Sequence, residues 1–180
     1  MQSKKIEIGT SSFKTTLVDT SGYDRDRKDI FGFFAKSDAV VVVFDITKRK
    51  NFDQHASKWC KDLAADADKN QGDRKKFLVL IGNKLDLEKE RKVQASEARE
   101  MLKSVEGSFA AVSYEELSAS ADPSGVMRVF TSIVENVAKS RGLKIEKPKP
   151  EDDDAVEEGT NSDTVVAPVV DGEGGCCIVS

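Results

Sequence analysis

Ala39-Val40-Val41-Val42-Val43-Phe44 is the longest apolar run in this chain, and its reading decides the fold class. The run is β-branched and does not alternate with polar residues. A strand with one wet face alternates, whereas a strand covered by helices on both faces does not. Phe77-Leu78-Val79-Leu80-Ile81 is a second such run, and residues 109–112 form a weaker third. Helical patterns lie between and after them. Phe52, Ala56, Trp59 and Leu63 share one helical face, as do Ala98, Met101, Leu102 and Val105. Val126, Phe130, Ile133, Val134 and Val137 repeat the pattern behind Asp122, a capping residue, and Pro123, which suits a first helical turn. Buried strands alternating with amphipathic helices predict βαβ units. The fold class is therefore α/β, a mostly parallel sheet flanked by helices. Residues 4–8 and 13–18, joined through Gly9-Thr10-Ser11, predict a hairpin at its start.

The 180 residues fit one domain and are too few for two ordinary ones. A hydrophobic share of 38% and a charged share of 33% fall in the range of soluble globular proteins. No apolar run is long enough for a membrane-spanning helix, and Met1-Gln2-Ser3-Lys4-Lys5-Ile6 has no apolar signal-peptide core, so secretion is not expected. Three cysteines do not make a disulfide framework. Cys60 falls on the predicted helix as a small core residue, while Cys176 and Cys177 are adjacent and badly placed to bridge each other. His55, the single histidine, lies beside an apolar stripe and is given a structural or solvent role. There are no internal repeats.

Charge divides the chain unevenly. Of 32 acidic residues, nine lie in residues 151–180, where no Lys or Arg occurs, so this tail carries −9 and the rest +5. The composition breaks at Lys147-Pro148-Lys149-Pro150. The tail has too little apolar area to offset its ordering entropy. The expected organisation is a folded domain over residues 1–143 and a flexible, acidic, disordered tail over 144–180.

In open α/β sheets the ligand sits beyond the carboxyl ends of the strands. The loops expected there read Asp19-Thr20-Ser21-Gly22, Asn83-Lys84-Leu85-Asp86 and Ser118-Ala119-Ser120. Alone, each is weak: an Asp-x-x-Gly tetrad is an ordinary turn, and Asn-Lys-x-Asp can simply cap a loop. Their order, spacing and placement are more specific. Over residues 4–141 the chain resembles the Ras superfamily of small GTPases, and within it the Rab type. Val18-Asp19-Thr20-Ser21-Gly22 resembles the family's strand-to-switch motif. Val43-Phe44-Asp45-Ile46-Thr47 with Asn51-Phe52 resembles a Rab-type strand and helix entry. Gly82-Asn83-Lys84-Leu85-Asp86-Leu87 resembles the guanine-specificity loop, and Glu116-Leu117-Ser118-Ala119-Ser120 the last base-contacting loop.

The resemblance implies a GTP/GDP switch with Mg²⁺. Asp86 would accept hydrogen bonds from guanine N1 and its amino group, a pattern adenine does not offer. Asn83 would fix the loop, the Lys84 stem would lie along the nucleotide, and the Ala119 N–H would donate to guanine O6. Ser118 and Ser120 complete that loop, with Ser120 standing where the family usually has a buttressing Lys. Asp19 would hold Mg²⁺ through water, and Gly22 would sense the γ-phosphate. Tyr23 stands where most of the family has a water-orienting Gln, so hydrolysis should be slow. Expected partners are exchange factors, GTPase-activating proteins, effectors, a prenyltransferase and a membrane, but not nucleic acid. The expected place is the cytoplasmic face of membranes in vesicle traffic, with a cytosolic pool.

One family element is not found. The phosphate loop reads G-x-x-x-x-G-K-[ST], and none of the twelve glycines here is followed by Lys. The resemblance thus implies an incomplete P-loop NTPase-type fold, an N-terminally truncated chain unable to bind nucleotide by itself. In that fold the missing strand would lie between those of residues 13–18 and 39–44. Two strands would then lose backbone partners, so marginal stability is expected. Finally, Cys177-Ile178-Val179-Ser180 fits C-a-a-X, and Cys176 can supply a second lipid, as in doubly prenylated Rab-type ends. The rival reading is a lipid-anchored adaptor or competitor that works without nucleotide.

Overall fold

The computed structural model describes residues 2–20, 26–70, 74–145 and 176–179. A hairpin opens the chain: β1 (Gln2–Ile8) and β2 (Ser11–Thr20) pair antiparallel. The turn between them uses Gly9 at φ 63°, a conformation that glycine reaches without penalty. Helix α1 (Arg27–Lys36) follows, burying Ile30 and Phe34. Next comes β3 (Ala39–Asp45), buried at every position as the unbroken apolar run requires.

A helical column then runs through α2 (Arg49–Asn51), a π turn (Phe52–Ala56) and α3 (Ser57–Lys69). Its expected face holds, since Phe52, Ala56, Trp59 and Leu63 are all buried. β4 (Phe77–Asn83) pairs parallel to β3, from Ala39↔Phe77 to Asp45↔Asn83. α4 (Ala95–Lys103) starts in a reciprocal cap between Gln94 and Glu97. β5 (Ala111–Glu116) is parallel to β4. α5 (Pro123–Ser140) begins as expected, with the Asp122 carboxylate accepting from the Gly125 N–H at 2.8 Å.

The sheet has two buried faces. Val40, Val42, Phe44, Leu78 and Leu80 pack with Ile30, Phe34, Trp59, Leu63, Ala98 and Leu102 of α1, α3 and α4. Ala39, Val41, Val43, Val79 and Ile81 pack with Ile133 of α5. Alternate residues of the same strands thus feed two cores, which is why the run in β3 shows no polar interruption.

The structure corrects three points of the sequence reading. The third strand begins at Ala111, not Phe109; Phe109 is instead a buried residue ahead of the strand. β5 has the alternating exposure of a half-covered edge strand, so its apolar signal is faint. Helix α1 is an addition to the expected elements, because Phe31-Gly32-Phe33-Phe34 hides its periodicity.

The third correction concerns the middle of the sheet. Among the described residues the strand order is β1-β2-β6-β3-β4-β5, where β6 is Cys176–Val179. β6 is antiparallel to both neighbours. Leu17–Thr20 of β2 and Ala39–Val42 of β3 are therefore not left without partners. The remainder of the expected flexible tail, residues 146–175 and Ser180, lies outside the described residues. Because β6 is antiparallel to each, β2 and β3 run in the same direction, and the carboxyl ends of β2, β3, β4 and β5 share one edge of the sheet.

Candidate functional site

Among the described residues, the three loops that follow β3, β4 and β5 at that edge are tied together by backbone hydrogen bonds. The Ile46 N–H donates to the Asn83 carbonyl at 3.1 Å, joining the loop after β3 to the end of β4. The Leu117 N–H donates to the Gly82 carbonyl at 3.0 Å and the Leu85 N–H to the Leu117 carbonyl at 3.2 Å, joining the loops after β4 and β5. The Lys92 and Val93 N–H groups both donate to the Ile46 carbonyl, at 2.8 and 3.1 Å.

Asn83 is the hub. It is buried at the end of β4, and its Oδ1 accepts from the Lys84 N–H at 2.8 Å and the Ala119 N–H at 3.0 Å. A carboxamide oxygen has two lone-pair directions, and both are used here. The Ala119 N–H, expected to face guanine O6, is thus engaged with Asn83. Ser118 is buried, and its Oγ accepts from the Ala121 N–H at 3.1 Å and lies 3.1 Å from Ser120 Oγ. The two serines stiffen the turn that carries Ala119.

Lys84 adopts a left-handed backbone, φ 69° and ψ 40°, the one such non-glycine among the described residues. Non-glycine residues in this region mark a constrained turn. Its Nζ lies 2.9 Å from Asp45 Oδ2. Asp45 is buried, and its Oδ1 accepts from the Thr47 N–H at 2.9 Å and Thr47 Oγ1 at 2.6 Å. Burial pushes this carboxyl upward, but the hydrogen bonds from Thr47 and Lys84 outweigh it and hold the group below the usual carboxylate range. The Asp45 N–H in turn donates to Asn51 Oδ1 at 3.1 Å.

Asp86 follows in a 3₁₀ turn (Leu85–Glu90) and is exposed. Asp19 is exposed near the carboxyl end of β2, on the same sheet edge. Gly22 and Tyr23 lie outside the described residues, so their expected switch roles stay expectations. Cys176 and Cys177 fall in β6, pairing with Thr20 and Val42 and with Asp19 and Val41 respectively.

Two groups escape the sequence patterns. Asp45 and Thr47 stand out there only as part of a strand motif, and their service to Lys84 becomes visible once β3 and β4 stand in register. The second group lies beneath the base loops. Arg91 donates through Nη1 and Nη2 to Glu116 Oε1 and Oε2, at 2.7 and 3.0 Å, and Tyr114 Oη donates to Glu116 Oε1 at 2.5 Å. The bidentate Arg91 partner, with burial opposing it, holds the Glu116 carboxyl below its ordinary value.

Gly82 sits over this network. A Cβ there would fall 2.7 Å from Tyr114 Oη and 2.9 Å from Ile46 Cγ2. Tyr114 is fixed by its bond to Glu116 and cannot yield freely. Gly82→Ala should cost about 1–3 kcal/mol by overpacking, read as a lower urea midpoint with an unchanged denaturant slope.

Similarity to known proteins extends over most of the chain. The family model described as Ras family matches residues 1–139. The Ras-related protein RABA4c of Arabidopsis thaliana is 30% identical over 177 residues, 98% of this chain and 75% of that protein. RABA4b of the same plant is 35% identical over 99 residues, 55% of this chain and 42% of that protein. The Ras-related protein Rab11D of Nicotiana tabacum is 36% identical over 99 residues, again 55% and 42%. The matched stretch thus spans less than half the length of the latter two.

Proposed function

Since this chain belongs to the Ras family, as a Rab-like small GTPase, we propose that its three loops form a guanine-recognition half-site on a membrane-traffic switch. The observation that carries this is the Asn83 carboxamide, which binds the N–H groups of Lys84 and Ala119 and so makes one unit of the two base loops. Asp86 stands exposed in that unit, its carboxylate offering two acceptors for the N1 proton and amino group of guanine. Asn83, Lys84, Ser118, Ala119 and Ser120 position the base. Asp19 belongs to the switch with Gly22 and Tyr23, and of these Asp19 belongs to the Mg²⁺ shell.

An oxygen-rich Mg²⁺ site needs more than one carboxylate, and nucleotide phosphates normally supply the rest. Asp19 fits the part of a water-mediated ligand, being exposed at the ligand edge of the sheet. Where a phosphate loop holds the nucleotide, as in the wider family, bound Mg²⁺ would neutralise phosphate charge and Asp19 would orient its water.

No G-x-x-x-x-G-K-[ST] segment occurs in these 180 residues. The expected loss of nucleotide binding should therefore be incomplete: a polypeptide of this sequence should read the base weakly and ignore the phosphates. Titration calorimetry should give weak binding of GMP, GDP and GTP, with affinities within about threefold of one another, and weaker binding of AMP. Asp86→Ala, at an exposed position, should cut that affinity about tenfold or more through loss of two charge-assisted hydrogen bonds. Affinity that climbs steeply with phosphate number would refute the half-site reading.

Cys176 and Cys177 carry the lipid anchor in this proposal, placing the protein on cytoplasmic membrane faces among exchange factors, activating proteins and effectors. Among the described residues no helix is long and apolar enough to cross a membrane. A second reading, a lipid-anchored adaptor that works without nucleotide, draws support from β6. That strand takes the sheet position from which, by family resemblance, a phosphate loop would spring.

A further inference from the structure

We propose that the gap between β2 and β3 is a strand-exchange site, that its resident is the chain's own Cys176–Val179, and that seating this strand withholds Cys176 and Cys177 from modification. The register is continuous on both sides. Val179 pairs with Leu17 and Ala39, Ile178 with Val18 and Val40, Cys177 with Asp19 and Val41, and Cys176 with Thr20 and Val42. Every residue of β6 has a partner on either side.

The chemistry of the gap suits this segment. The partners of Ile178 and Val179 are all apolar, and Val18, Val40 and Ala39 are buried. An empty gap would leave backbone donors and acceptors of β2 and β3 without partners next to two apolar cores, which is costly. The site therefore selects an extended segment ending in apolar residues, recognised mainly through its main chain.

Exchangeability follows from the order of the described elements. β1 and β2 are joined by a tight turn, and β3, β4 and β5 by helical crossovers packed on the sheet. β6 is the shortest strand described, four residues, and residues 146–175 separate it from the rest of the described chain. A segment of four residues can leave the sheet as a local unit, without opening the hairpin or the crossover units.

The consequence for modification rests on the lipid-anchor reading given above. Isoprenylation joins Cys177 Sγ to the first carbon of an isoprenyl diphosphate; diphosphate leaves with the C–O electron pair, and the thiol proton passes to solvent. The modifying enzyme must hold the last four residues as a free extended segment. Those residues cannot simultaneously pair with β2 and β3, so seating and lipidation compete.

The test is per-cysteine alkylation by iodoacetamide on the full folded chain, read by peptide mass spectrometry. Cys60 supplies the internal control. It is wholly buried, and burial pushes its thiol up to about 12, so it stays unreactive while the fold is intact. Cys176 and Cys177 should react at least tenfold more slowly than in the free peptide spanning residues 174–180. Ile178→Pro should release both while Cys60 remains protected. Amide hydrogen exchange on the unaltered protein covers the case in which that variant unfolds, and residues 177–179 should show slowed exchange. Reaction at the peptide rate with Cys60 protected would overturn the proposal. So would protection that appears only with concentration-dependent dimerisation, since the resident would then be a second copy's strand. A prenyltransferase with farnesyl diphosphate separates the two readings. If the free peptide is not modified, the anchor reading and its gating consequence fall, while alkylation still judges the seat.

Discussion

Phe44→Ala should lower the unfolding free energy by about 3–5 kcal/mol, more than is expected of Gly82→Ala or Asp45→Ala. Phe44 is 1% exposed and lies between two rings, Phe52 with centroids 4.9 Å apart and Tyr114 at 6.3 Å, stacked. Truncation removes the transfer free energy of the ring and leaves a cavity that β3, paired to β4 at Phe44↔Gly82, and β4, paired on both sides there, cannot readily close. Domains of this size are stable by only about 5–15 kcal/mol, so the change consumes a large part of the total. It also reaches the site. Phe44 immediately precedes Asp45, and Tyr114 is tied to Glu116 beneath the base loops. Urea unfolding followed by circular dichroism should show the midpoint falling sharply with little change of slope. A loss under about 1 kcal/mol, below the range for an emptied aromatic site, would mean that the site is not built on a packed β3–β4 core.

The second large effect is at Asp45. Asp45→Ala should cost about 2–4 kcal/mol at neutral pH, because it strands the Thr47 N–H and hydroxyl and leaves Lys84 without its buried counter-ion. Lys84→Ala should cost less, about 0.5–1 kcal/mol, since the lysine is partly exposed and solvent screens its side of the pair. The sign of the pH dependence follows from the lowered carboxyl of Asp45. A group depressed on folding contributes stability above its unfolded value, about 3.9, and loses it as pH falls through its lower folded value. The gap in stability between the unaltered protein and Asp45→Ala should therefore be full at about pH 7 and shrink below about pH 4. Paired urea titrations at about pH 7 and about pH 3, on either side of that window, measure it. An undiminished gap in acid would show that the loss is packing alone.

Legibility in the sequence depends on the kind of signal. The β3 run and the faces of α3 and α5 are plain, because burial on one or both sides writes a local period into the sequence. Asn83, Lys84, Asp86 and Ala119 are found through motif order, and the hydrogen bonds of Asn83 give that order a physical meaning. The service of Asp45 to Lys84 is not legible, since it joins residues from neighbouring strands whose register no local pattern states. Helix α1 is hidden by the crowded aromatics of Phe31, Phe33 and Phe34. β6 is least legible of all. Cys-Cys-Ile-Val at the end of an acidic, polar stretch carries no strand period of its own, and only the unfilled edges of β2 and β3 call for it. A lipid signal and a strand in the sheet are not opposed in those residues if the strand leaves and returns.

The central claim is that residues 83–86 and 118–120 act together to recognise guanine. The most direct measurement is an NMR titration of the isotope-labelled chain with GMP, repeated with AMP. Saturable, millimolar-range shifts are expected from GMP at the amides of Lys84, Asp86 and Ala119, with AMP giving little at the same concentrations. Equal responses to both nucleotides, or shifts that leave these amides unmoved, would contradict it.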